Sequence, residues 1–134
     1  LTMRVLIMGC SRVGALVATA LWKEGHRVVV LDPSAESLRR LPPELQEEAV
    51  VGNGTLEDDL RRAGIESMDA FVAVSARDTA NALAAQMAQH VFRVSRVVCR
   101  IDDPARYEMY TELGLKAVSP TRLISDLILE AVRS

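Results

Sequence analysis

Three residues near the N-terminus have the types and spacing to hold a phosphate and a sugar: Gly9, Gly14 and Asp32, within MRVLIMGCSRVGALVATALWKEGHRVVVLD. Gly9 follows the apolar run 5–8, too short for anything but a buried strand, and permits a tight turn out of it. Gly14 opens an Ala- and Leu-rich helical stretch and lets that helix pack closely on the sheet. Cys10, Ser11, Arg12 and Val13 then lie at the helix start, where free N–H groups and the positive dipole end attract an anion. Asp32 closes a second apolar run, 28–31, eighteen residues beyond Gly14, near the roughly 20 expected of a carboxylate that accepts from ribose hydroxyls.

Each of these readings has an alternative. Ser11 stands where G-x-G-x-x-G has its middle glycine, and a side chain there narrows the approach of backbone to pyrophosphate. Arg12 can offer phosphate oxygens a planar fork, or be one more solvated arginine at a helix start. Asp32 can bind ribose or cap the turn at Pro33–Ser34. In the ribose role it meets a 2′-phosphate with like charge, so NAD(H), ATP, ADP or AMP fit better than NADP. Cys10 reads as a small packing residue, with a redox sensor beside a helix N-terminus as the sharper option.

The elements that must position these residues alternate along the chain. After Asp32 a short helix is expected over 34–41, capped by Ser34 and closed by Pro42–Pro43. A third strand covers 49–51, and Thr55 with Asp58 resembles a capping box opening a helix to Ala63, with Gly64 as its stop. A fourth strand spans 70–74, Asp78 caps the helix 81–91, and Asn81 reads as a structural bond to the loop after that strand. A fifth strand spans 96–101, Asp103–Pro104 starts a helix ended by Gly114, and a sixth strand covers 116–118. Ser119–Pro120 opens a last helix to the C-terminus.

Strands alternating with helices call for a parallel sheet with right-handed crossovers: an α/β, three-layer, doubly wound Rossmann-like domain of order 3-2-1-4-5-6. Its crevice lies beyond the carboxyl ends of strands one and four. Gly9, Cys10, Ser11, Arg12, Val13, Gly14, Asp32, Asn53, Val74, Ser75 and Ala76 then gather around one cleft, with Arg100 further along the same edge. In the last helix Leu123, Leu127, Ile128 and Ala131 form an apolar stripe, widened by Ile124, Leu129 and Val132. That stripe is expected to dock on the chain's own sheet or, alternatively, on a second subunit.

With 134 residues the chain is expected to be a single domain, 1–134, and its 49% hydrophobic but 4% aromatic composition suits strands covered on both faces. A net charge of −2 gives no basic field for nucleic acid. The longest uncharged stretch, 79–92, is too short and polar to cross a bilayer, and the N-terminus runs straight into a strand without a signal-like segment. Cys10 and Cys99 show no metal spacing, so no metal is expected. Hydride transfer would need a substrate site as well as a cofactor site, and His26 and His90 fall away from the cleft, so an enzyme is not expected.

Over nearly its whole length the chain resembles the N-terminal nucleotide-binding domain, called KTN or RCK, of bacterial potassium-transport regulators of the Trk-A N-terminal type. The segments that carry the likeness are MGCSRVGALVATALWKEGHRVVVLD, VVGNGT, LRRAGIESMDAFVAVS, DTANALAAQMA and RVVCRIDDPARYEMYTELGLKAVSPT. The resemblance implies a cytosolic regulatory subunit, peripheral to the inner face of the membrane. It would form a homodimer or a larger ring beneath a potassium channel or transporter and respond to NAD(H) or an adenine nucleotide. It implies Gly9, Ser11, Arg12 and Gly14 on the phosphate loop, and Asp32 at the ribose. Asn53 and Gly54 would lie beside adenine, Val74 and Ser75 would flank the crevice, and Arg100 would approach phosphates. It also implies a final helix packed on a partner. Asn53–Gly54 departs from the frequent Asp-Ala, and the chain stops where the family's smaller C-terminal domain would begin. A small NAD-dependent oxidoreductase and a nucleotide-binding scaffold unrelated to transport are the rival classes.

Overall fold

Short β-branched and leucine-rich runs flanked by helix formers pair here as a wholly parallel sheet, and the computed structural model describes all of residues 1–134. The elements are β1 (Arg4–Met8), α1 (Arg12–Lys23), β2 (Arg27–Asp32), α2 (Pro43–Glu48), β3 (Val50–Val51), α3 (Glu57–Arg62) and β4 (Ala70–Ala73), followed by α4 (Asp78–His90), β5 (Arg96–Arg100), α5 (Pro104–Glu112), β6 (Ala117–Val118) and α6 (Pro120–Arg133). The strand order is β3-β2-β1-β4-β5-β6, as expected, with β1 central between β2 and β4.

Period-two alternation divides the core into two layers. Leu6, Met8, Leu31 and Phe71 face α3 and α4, whereas Val5, Ile7, Val28 and Val30 face α1 and α2. Ala82, Ala84, Ala85 and Ala88 line the buried side of α4 and stand in for large side chains there, so that helix sits close on β4 and β5. Burying each large aliphatic side chain contributes about 1.5–3 kcal/mol. This explains how a core nearly without aromatics holds the domain.

The structure corrects several local expectations. Pro42–Pro43 does not close a helix but opens one: Pro43 is the first residue of α2, where its missing N–H costs nothing. Ser34 is not the N-cap of a helix over 34–41: a 3-10 turn spans Ser37–Arg40 with Glu36 at its cap position, and Ser34 Oγ accepts only from the Ser37 amide, at 3.2 Å. Thr55 is not the cap of α3, because its amide and hydroxyl both bond Asn53 Oδ1, at 2.9 and 2.7 Å. Asp78 is the first residue of α4 rather than its cap; its carboxylate accepts from the Asp102 and Asp103 amides across the sheet edge, at 2.8 and 3.0 Å. Asp103 and Ser119 cap α5 and α6 as expected.

α6 does not dock on its own sheet: every residue from Thr121 to Ser134 is exposed. Its first turn is tied to the α5 side, with the Arg122 guanidinium 4.9 Å from the Tyr107 ring and 3.8 Å from Glu108. Strand register places Val72, Val98 and Val118 on the opposite, α1 side of the sheet. Val72 and Val98 are only half-buried there, Val118 is exposed, and Leu16 on α1 is 72% exposed. The chain thus carries an apolar helix stripe that stays exposed and an apolar sheet strip that is exposed or half-buried. No helix is long and apolar enough to cross a membrane.

Candidate functional site

At the carboxyl end of β1 the backbone turns through Gly9 at φ +106°, a value L side chains rarely adopt. A Cβ on Gly9 would also lie 2.7 Å from the Ser75 amide nitrogen, so the turn is pressed against the loop after β4. A Cβ on Gly14 would strike the Gly9 carbonyl oxygen, which fixes how closely α1 approaches the turn.

The loop between these glycines is held from several sides. Asp32 Oδ2 accepts from the Cys10 amide at 2.7 Å, and Oδ1 from the Ser34 amide at 2.8 Å. Arg40 Nη1 donates to the Cys10 carbonyl at 2.6 Å. Ser11 Oγ accepts from the Gly14 amide and donates to the Val74 carbonyl, both at 3.1 Å, which ties the cap of α1 to the end of β4. Gly9 donates to Leu31 and Ala15 to Ser11, at 2.8 and 2.9 Å. The amides of Ser11, Arg12 and Val13 are left without an acceptor in the chain. Three adjacent N–H donors at the start of a twelve-residue helix make a seat for an anion, with the Asp32 carboxylate beside it able to accept further hydroxyl donors.

The flanking loops converge on the same end of the sheet. The Gly52 amide bonds the Asp32 carbonyl at 3.1 Å, and a Cβ on Gly54 would run into the Met8 side chain. Asp59 accepts from the Asn53 amide at 2.7 Å; this bond, with Arg62 at 3.3 Å, holds the Asp59 carboxyl below its usual range. On the other side Asn81, wholly buried, bonds Ser75 through its amide, hydroxyl and carbonyl and donates to the Arg100 carbonyl. Its role is therefore structural, as its place in the sequence implies.

Of the residues singled out from sequence, Gly9, Cys10, Ser11, Arg12, Val13, Gly14, Asp32, Gly54, Val74 and Ser75 are brought together here. Asn53 lies exposed at the β3 margin. Arg100 is half-buried at the end of β5, two strands from β1, or about 10 Å at ordinary strand spacing. Neither Arg12 nor Arg100 enters an ion pair, so Asp102 and Asp103 do not engage Arg100. Arg40 and Asp59 were not legible as site residues. Each acts through a side chain-to-backbone bond that a local motif does not encode, although Arg40 does end the 3-10 turn that folds back over the loop. His26 accepts from the Met3 amide at the opposite pole, and His90 ends α4, so neither histidine offers acid–base chemistry at the crevice.

Cys10 and Cys99 are both buried. Burial raises the Cys10 thiol, the Asp32 carboxylate pushes the same way and Arg40 opposes them; burial, aided by Asp78, pushes Cys99 up to about 11. Both therefore stay protonated at neutral pH, which supports the packing reading of Cys10. Neither thiol is expected to react with a disulfide reagent at pH 7 in the folded protein, and both should react after denaturation. Rapid native labelling of Cys10 would reinstate the redox reading.

Residues 5–120 match the family model described as the TrkA-N domain. The Trk system potassium uptake protein TrkA of Streptomyces coelicolor is 44% identical over 127 residues, covering 95% of this chain and 57% of that protein. A TrkA homologue of Pyrococcus abyssi is 34% identical over 111 residues, covering 83% of this chain and 49% of that protein. The chain thus spans about half the length of these relatives. Among solved structures, the TrkA-N domain of the inner membrane protein ybaL from Escherichia coli superposes with a TM-score of 0.83 at 22% identity, covering 98% of this chain and 97% of that one. The GsuK channel bound to NAD gives 0.77 at 20%, covering 94% and 22%. The Shewanella denitrificans Kef CTD in its AMP-bound form gives 0.72 at 25%, covering 97% and 80%.

Proposed function

The chain belongs to the TrkA-N domain family, and from that premise we propose that it is the nucleotide-sensing part of a regulatory subunit that gates potassium transport. The observation that carries this reading is the seat at the end of β1: three amides of Ser11, Arg12 and Val13 without a protein acceptor, beside the carboxylate of Asp32. The amides and Arg12 receive the phosphate, and Asp32 receives ribose hydroxyls. Asn53 and Gly54 border the adenine, Val74 and Ser75 form the wall, and Arg100 approaches from the far margin. The ligand is NAD(H) or an adenine nucleotide, with NADP disfavoured by the charge of Asp32. The AMP-bound Kef CTD, of similar fold, supports this class of ligand.

The partner is a membrane potassium transporter or channel, met at its cytoplasmic face. The α6 stripe of one copy covers the Val72–Val98–Val118 strip of a second, so that two crevices share an interface. A ligand moves such an assembly only through its differential affinity for two arrangements, and a coupling of about 1–3 kcal/mol is ordinary.

Thermal-shift titration with NAD, NADH, ATP, ADP, AMP and NADP tests the site: adenine nucleotides raise Tm and NADP does so least. Stabilisation by none of them sinks the reading, and steady NADH consumption with a carbonyl substrate replaces it with an oxidoreductase. For the assembly, Leu127→Asp combined with Ile128→Asp is expected to convert a dimer into a folded monomer, since neither side chain is buried within its own chain. Sedimentation velocity reads the mass and circular dichroism the fold. A monomeric wild type, or a variant of unchanged mass, contradicts the α6 assignment.

A further inference from the structure

Ser11 occupies the place where a dinucleotide fingerprint has the glycine that lets backbone approach a pyrophosphate. Its φ of −72° and ψ of 177° are extended values open to any residue, so a glycine here is a matter of space and not of conformation. That space holds a hydroxyl engaged at both ends, accepting from Gly14 and donating to the Val74 carbonyl. We propose that Ser11 is the residue that selects the phosphate count of the ligand: the crevice favours an adenosine bearing one phosphoryl group over a dinucleotide whose pyrophosphate must run across the loop. This rests on the nucleotide site proposed above.

The loop cannot make room by retreating. Cys10 is held on one side by Asp32 and on the other by Arg40, and α1 already touches the Gly9 carbonyl through Gly14. One phosphoryl group on the Ser11, Arg12 and Val13 amides leaves both Ser11 bonds intact. A second, running toward the helix, meets the Ser11 side chain and competes with its hydroxyl for the Gly14 amide.

Isothermal titration of the wild type, Ser11→Gly and Ser11→Ala with AMP and with NADH tests the assignment, with circular dichroism confirming that each variant is folded. The wild type binds AMP more tightly than NADH. Ser11→Gly, which frees the Gly14 amide for a second phosphoryl group, tightens NADH roughly fivefold, the size of one net hydrogen bond, and changes AMP by less than about twofold. Ser11→Ala, which frees the Gly14 amide but keeps the Cβ, tightens NADH by a smaller factor and serves if the glycine variant does not fold. Equal changes for both ligands, weaker NADH binding in the variants, or a wild type that prefers NADH overturns the role of Ser11 while leaving the nucleotide site standing. A wild type that binds neither removes both.

Discussion

Replacing Asn81 with Ala is expected to lower stability by about 2–4 kcal/mol, because buried polar groups stripped of their partners cost about 1–3 kcal/mol each and only part is recovered by relaxation. Asn81 is 0% exposed and makes four bonds: Oδ1 accepts from the Ser75 amide and hydroxyl at 2.9 and 2.6 Å, and Nδ2 donates to the carbonyls of Ser75 and Arg100, each at 2.9 Å. Truncation leaves both carbonyls and the Ser75 amide facing a void. At roughly 3–5 °C per kcal/mol for a domain of this size, Tm should fall by about 8–15 °C. Asn81→Asp should be worse, since a carboxylate oxygen would face two carbonyls where an amine now donates. The effect also reaches the crevice, because Ser75 is the backbone against which Gly9 rests. Scanning calorimetry reads the outcome, and a shift within about 2 °C would mean that this network contributes little.

Asp32→Ala is expected to weaken every ribose-containing ligand by about 10–100-fold, the range for losing a charged hydrogen bond of about 1.5–3 kcal/mol. Part of that loss arises indirectly, since the same carboxylate holds the Cys10 and Ser34 amides and thereby the shape of the loop between Gly9 and Gly14. Asp32→Asn separates the two roles. It keeps one oxygen able to accept an amide but removes the charge, so affinity should fall less and the discrimination against NADP should shrink. Titration calorimetry with AMP and NADP checks both variants, and unchanged affinity in Asp32→Ala places the ligand elsewhere.

The β1–α1–β2 unit and the strand order were readable from sequence because both depend on local signals: a glycine after a short apolar run, a helical stretch, a second run ending in an acid, and strict alternation of strand and helix. Asp103–Pro104 and Ser119–Pro120 were readable for the same reason, each cap acting within three residues. What sequence did not reveal lies in bonds between distant segments. Asp78 looks like a cap but reaches 24 residues ahead to Asp102, and Arg40 reaches 30 residues back to Cys10. Thr55 has the spacing of a capping box, yet the Asn53 side chain two residues away engages it first. Pro42–Pro43 is ambiguous, since a proline that cannot continue one helix is well suited to begin the next. The role of Asp32 was legible only as two competing alternatives, ribose acceptor or turn cap; the structure shows it holding the turn, with lone pairs left over.

The most direct test is a crystal structure of the chain with AMP. The phosphate is expected on the Ser11, Arg12 and Val13 amides, with a ribose hydroxyl on Asp32 and the base toward Gly54. AMP bound at any other surface, or a crevice that stays closed over its own side chains at saturating nucleotide, would contradict the account.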